Sequence, residues 1–136
     1  MRAFVKCVRD GIKSQYGKTD RCAICDSQED LEFHHYNSVT LVVENFISIN
    51  NLEVPTDKDQ MVQLRERLYE ERRYELVEDA VTLCHEDHMK LHKLYGDVPP
   101  LNTVEKQKLW VIKMRDKRLG IIVEKSTTLS RFRLKK

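Results

Sequence analysis

The sequence predicts a small α+β domain, and three observations predict it. Two short stretches, residues 31–36 and 81–83, alternate or cluster as strands do. Four longer stretches space their apolar side chains at helical intervals. The chain has 136 residues, enough for one compact core and too few for two full domains.

Residues 3–15 read as a helix, because Phe4, Val8 and Ile12 recur every four positions and Gly17 stands just past the end. Residues 18–30 are polar and turn-like and contain Cys22-Ala23-Ile24-Cys25. Leu31-Glu32-Phe33-His34-His35-Tyr36 reads as a short strand. Residues 38–50 carry Val39, Leu41, Val42, Val43, Phe46, Ile47 and Ile49, too many of them β-branched to assign to helix or strand. Pro55-Thr56-Asp57-Lys58-Asp59 starts a helix, with Thr56 as N-cap and Asp59 at the third position. That helix runs to about Val77, with Met61, Leu64 and Leu68 on its apolar stripe and paired charges on its solvated face. Val81-Thr82-Leu83 is the second strand. Residues 85–95 form a helix closed by Gly96 and followed by Pro99 and Pro100. Thr103 caps a last helix, about 104–118, that Gly120 ends. The organisation expected is one domain over residues 1–118, with a helical insertion at about 56–77, and a basic tail over 119–136.

Apolar residues make up 40% and charged residues 34%, and with 4 Gly and 3 Pro no long disordered or collagen-like tract is expected. No apolar run approaches the ~18 residues of a membrane span, and Met1-Arg2-Ala3-Phe4 opens no signal-peptide core. An intracellular protein is expected, without a membrane partner. The net charge of +2 conceals segregation. Residues 1–21 carry six basic and two acidic side chains, residues 22–104 seven and seventeen, and residues 105–136 eleven and three. Basic ends around an acidic middle suggest a polyanionic partner, nucleic acid first.

The four cysteines are Cys7, Cys22, Cys25 and Cys84. A two-residue spacing lets Cys22 and Cys25 fold around one zinc ion, and Cys84 precedes a histidine-rich stretch as a second half-site would. Cys7 reads as a small core residue of the first helix. The rival for the pair is a thiol redox motif, which usually opens a helix beside a parallel βαβ unit; no such pattern is visible. All five histidines, His34, His35, His85, His88 and His92, fall in two short segments. On a helix His88 and His92 are i and i+4 and can share one metal. His34 and His35 are adjacent on a strand, so one can bind a metal while the other handles a proton.

Cys22-x-x-Cys25, then Leu31-Glu32-Phe33-His34-His35, then Asp79-Ala80-Val81-Thr82-Leu83-Cys84 with Asp87, His88 and His92, together resemble the HNH endonuclease family. The layout is similar to that of small phage-encoded HNH homing endonucleases, whose His-x-x-Tyr-Gly ending His92-Lys93-Leu94-Tyr95-Gly96 matches. The resemblance implies a ββα-metal core with a zinc staple, surrounded by helices. It implies that His34, His88 and His92 hold one catalytic divalent ion, Mg, Mn or similar, and that His35 is the general base. It also implies DNA as substrate, 5′-phosphate and 3′-hydroxyl products, and no small-molecule cofactor. Structural zinc falls to Cys22, Cys25 and Cys84, with Asp87 standing where the pattern has a fourth cysteine; His85 or water are the alternatives. Asp79 stands at the middle Asn position, as an orienter of an imidazole or as a ligand.

DNA contact is assigned to the basic ends: Arg9, Lys13 and Arg21, then Lys113, Arg115, Lys117, Arg118, Arg131 and Arg133, with Arg2, Lys6, Lys18, Lys106, Lys108, Lys135 and Lys136 as further candidates. The expected function is a metal-dependent DNA endonuclease, nicking or cutting both strands, of phage homing type. The alternative is a zinc-stapled nucleic-acid-binding module whose catalytic site has decayed. Monomer and dimer stay equally open.

Overall fold

The computed structural model describes residues 1–126, with side chains through residue 120. In chain order the elements are α1 (Arg2–Ile12), β1 (Leu31–His35), α2 (Val39–Ile49), α3 (Lys58–Arg73), β2 (Ala80–Cys84), α4 (His85–Tyr95) and α5 (Val104–Ser126). Among the described residues, β1 and β2 form the one sheet, an antiparallel ribbon pairing Leu31 with Cys84 and His35 with Ala80. Two strands are too few to stand alone in water, so the ribbon depends on what packs against it.

The apolar side chains gather into two cores. One holds Phe4, Val5, Val8 and Ile12 of α1, Val39, Val42, Val43, Phe46 and Ile47 of α2, Leu68 of α3, and Leu76 and Val77. The other holds Cys22, Ile24, Tyr36, Leu83, Cys84, Leu91 and Val111, joining the cysteine turn, the ribbon, α4 and α5. The insertion between β1 and β2 therefore builds a helical lobe together with α1, while the chemistry-bearing segments share a separate core.

Residues 38–50 settle as a helix although their β-branched side chains lower helix propensity. Val39, Val42, Val43, Phe46 and Ile47 fall at helical spacing on one buried face, and the Ser38 hydroxyl accepts from the Leu41 N–H to cap the start. Burial of that face outweighs propensity differences of tenths of a kcal/mol per residue. The N-cap of α3 is Asp57, whose carboxylate accepts from the Gln60 N–H, and not Thr56 as the sequence predicts. The helix also stops earlier than predicted: Arg72 leaves helical geometry and Tyr74–Glu78 widen into a π turn. That turn closes with Asp79 N–H donating to the Tyr74 carbonyl, which delivers Asp79 to the ribbon, where its own carbonyl accepts from Tyr36 N–H.

Three further expectations are corrected. Cys7 lies half-buried at the lobe's edge, where Arg65 Nη1 donates to its sulfur and to its carbonyl. The Thr103 hydroxyl bonds the Pro100 carbonyl and the Gln107 amide; it does not cap α5. Helix α5 runs through Gly120 to Ser126; among the described glycines only Gly96 has the left-handed backbone that closes a helix. Arg131, Arg133, Lys135 and Lys136 lie outside the described residues.

Helices α1 and α3 approach closely at Gly11. A Cβ there would sit 2.5 Å from Tyr69 Oη and 2.8 Å from the Arg65 guanidinium carbon. Both groups are committed, since the Tyr69 hydroxyl donates to the Val8 carbonyl at 2.6 Å and Arg65 to Cys7. Gly11→Val is therefore expected to lower stability by about 1–3 kcal/mol, read as a fall in the urea midpoint.

Candidate active site

Strand β1 alternates its side chains between faces. Glu32 and His34 face α4, while Phe33 and His35 pack with Tyr16 of the loop after α1. Tyr16 stacks on Phe33 at 4.4 Å between centroids, and both contact the His35 ring edge-on. Cys84 N-caps α4, and the helix then carries His88 and His92 one turn apart on the side that meets β1.

His34 Nδ1 lies 3.0 Å from His88 Nε2, which lies 3.0 Å from His92 Nε2. The far nitrogen of each ring is occupied. His34 Nε2–H donates to Gln107 Oε1 at 2.7 Å, His88 Nδ1–H to Glu32 Oε1 at 2.8 Å, and His92 Nδ1–H to the Gly96 carbonyl at 2.8 Å. A carbonyl and a carboxylate accept only, so each bond fixes its ring's proton on the far side. Three neutral imidazoles consequently turn lone pairs toward one point. Neighbouring lone pairs repel, and a divalent cation is what such a donor set fits. Burial holds His34 in the neutral form, its pKa pushed down to about 3, and lowers that of His88 as well.

His35 is the remaining group. Its Nε2 is buried, with no hydrogen-bond partner of good geometry among the described residues, and the Leu76 backbone is a weak partner of the ring. Burial first, and the Arg9 charge second, push its pKa down to about 4. His34, His35, His88 and His92 line one cavity of about 220 Å³, together with Arg9, Phe33 and Asp97. The structure thus brings together the four histidines that the sequence singles out.

The second cluster holds Cys22, Cys25, Cys84 and Asp87. One Asp87 oxygen lies 3.3 Å from both Cys22 and Cys84 Sγ, and Cys25 Sγ lies 3.8 Å from Cys84 Sγ. The Ile24 and Asp87 N–H groups point at the sulfurs of Cys22 and Cys84. Asp87 is 1% exposed, and its other oxygen faces only Arg118, 3.8 Å away. Desolvation raises the thiol pKa of Cys25 and pushes that of Cys84 up to about 12. Three thiols and a buried carboxylate suit zinc, since a bound cation removes the cost of both. His85 takes no part in it: its ring is exposed and bonds Glu32 at 2.8 Å.

Asp79 is the position the structure treats differently from expectation. Its carboxylate accepts from Asn37 Nδ2 and pairs with Lys108 Nζ, both at 2.8 Å. It orients no imidazole among the described contacts; with Asn37 it closes the neck of the insertion. Lys108 is thereby engaged within the fold. Of the other basic candidates, Arg9 reaches the histidine-lined cavity, Lys13 pairs with Asp10, Arg115 with Asp26 at 2.8 Å, and Arg21, Lys113 and Lys117 are exposed.

Sequence reasoning missed two residues that hold the imidazoles. Glu32 had a signal, because it stands two positions before His34 on a strand. Gln107 had none, being one polar residue in a charged helix. No helix among the described residues is long and apolar enough to cross a membrane.

No solved structure matches the chain. The family model of the phage T5 nicking endonucleases, described as the nicking endonuclease family, matches residues 1–127, nearly the whole chain and both histidine segments. This chain belongs to the nicking endonuclease family, a family of phage DNA endonucleases.

Proposed function

We propose that the chain is a metal-dependent endonuclease of the HNH, ββα-metal type that nicks duplex DNA. One observation carries this reading: the converging lone pairs of His34, His88 and His92 share one cavity with the ring of His35.

His34, His88 and His92 would hold one divalent ion, which when bound supplies a Lewis acid for the charge developing on the scissile phosphate and the departing 3′ oxygen. His35, in the wall of the same cavity, accepts the proton of the attacking water on a ring nitrogen. Its neutral state at pH 7 keeps a ring lone pair for that proton. Arg9, at the cavity wall, offers a guanidinium to a phosphate oxygen of the same strand. The products are a 5′-phosphate and a 3′-hydroxyl. One such site cuts one strand per encounter, in keeping with the family's description. Cys22, Cys25, Cys84 and Asp87 would hold structural zinc, tying the turn after α1 to the first turn of α4. We assign phosphate contacts to Arg9, Lys13, Arg21, Lys113 and Lys117, with Arg115 and Arg118 beside the cysteine cluster through Asp26 and Asp87. The helical insertion is the feature that supports a homing layout.

Supercoiled plasmid tests the reading. With Mg²⁺ or Mn²⁺ the protein is expected to accumulate open circles before any linear product, and EDTA is expected to stop the reaction. An absence of cleavage in every divalent ion, with a salt-sensitive mobility shift retained, would instead identify a binding module.

A further inference from the structure

Helix α5 lies outside the ribbon and α4, yet it places one side chain at the metal ligands. Gln107 is 0% exposed and fully bonded. Its Nε2 donates to the Tyr36 carbonyl at 3.2 Å and to Thr103 Oγ1 at 3.0 Å, and its Oε1 accepts from His34 Nε2–H at 2.7 Å. The Tyr36 carbonyl can only accept, so it fixes which end of the amide is the NH₂, and the carbonyl end must face His34. His34 is the odd member of the set: it presents Nδ1 inward, whereas His88 and His92 present Nε2. In a free neutral imidazole the proton moves between both nitrogens, and a His34 protonated on Nδ1 would aim an N–H at the ion.

We infer that Gln107 is a positioning residue for the catalytic metal: by accepting from His34 Nε2–H and being itself locked by Tyr36 and Thr103, it holds His34 in the one tautomer that leaves Nδ1 free as a ligand. The inference rests on the three-histidine metal reading above. Partners of this kind typically change metal affinity by about 10–100-fold when removed.

The test uses full-length, zinc-loaded protein titrated with Co²⁺, whose visible absorption at an imidazole site lacks the thiolate charge-transfer bands of a cysteine site. His92→Ala marks which absorption belongs to the histidines. Gln107→Met keeps the volume and removes the acceptor; Gln107→Glu keeps an acceptor for His34. Gln107→Met is expected to bind Co²⁺ about 10–100-fold more weakly, and Gln107→Glu, which keeps the acceptor for His34 but loses the donor to Tyr36, to bind more tightly than Gln107→Met. Nitrogen-15 spectra of the Co²⁺-free proteins are expected to show His34 protonated on Nε2 in wild type and Gln107→Glu, and as a tautomer mixture in Gln107→Met. A purely structural role would lower stability without moving that mixture. Equal Co²⁺ affinity in wild type and Gln107→Met, or an unchanged tautomer, overturns the inference alone. A wild type with no histidine-bound Co²⁺ overturns the metal reading, and the inference with it.

Discussion

His35→Ala is expected to slow plasmid nicking by about 10²–10⁴-fold, the usual contribution of a general base, with DNA affinity unchanged in a mobility-shift titration. The expectation follows from where the ring sits. Its edge contacts with Phe33 and Tyr16 fix its plane, and the ring lines the cavity beside the three converging imidazoles. The substitution removes the imidazole but leaves the lone pairs of His34, His88 and His92 where they are, because their far nitrogens are held by Gln107, Glu32 and Gly96. Co²⁺ binding should therefore survive in the variant. Full nicking activity in His35→Ala would remove His35 from the role of base.

The cluster of Cys22, Cys25, Cys84 and Asp87 carries the second large effect. An ionised carboxylate at Asp87's depth costs several kcal/mol when unpaired, and among the described residues one of its oxygens has no hydrogen-bond partner and only the Arg118 guanidinium 3.8 Å away. Cys22 and Cys84 belong to the same small core as Leu83 and Leu91. Apparent binding free energies at small structural zinc sites are about 10–16 kcal/mol, comparable with the whole stability of a domain of about 5–15 kcal/mol. Cys84→Ser is thus expected to lose bound zinc, measured by atomic absorption, and the cooperative thermal transition of the ribbon and α4. Asp87→Cys, which supplies a fourth thiolate, is expected to hold zinc through a chelator challenge at least as long as wild type. Zinc-free wild type with an unchanged melting curve would show that the cluster is not a staple.

The histidine constellation was legible because its geometry is local. The i, i+4 pair on α4 and the adjacent pair on a strand need no tertiary information beyond the pairing of two segments. The cysteine turn was legible for the same reason. Helix α2 was not: Val39, Val42 and Val43 suit a strand in isolation, and only the lobe's core makes the helical face worth burying. The cap at Asp57 was a choice between adjacent cap formers one residue apart. Asp79 was misjudged because the motif assigns it an imidazole, whereas Asn37 and Lys108 meet it in space from 42 and 29 positions away. Gln107 illustrates the limit most clearly, since its three hydrogen bonds join α5 to β1 and to the turn before it, a relation that no periodicity records.

The two-core arrangement bears on how the chain can change over time. Residues 37 and 79 are hydrogen-bonded neighbours, so the segment they enclose leaves and rejoins the ribbon at one neck. Lengthening it should burden the ribbon little, since loop-closure entropy grows by only about 0.6 kcal/mol per doubling. Yet the lobe is not a free-standing cassette, because α1 supplies Phe4, Val5, Val8 and Ile12 to its interior. A transplanted insertion would leave those four side chains facing water. Drift in the insertion and in the first dozen residues should accordingly be concerted, and a functional chimera would have to exchange both segments at once.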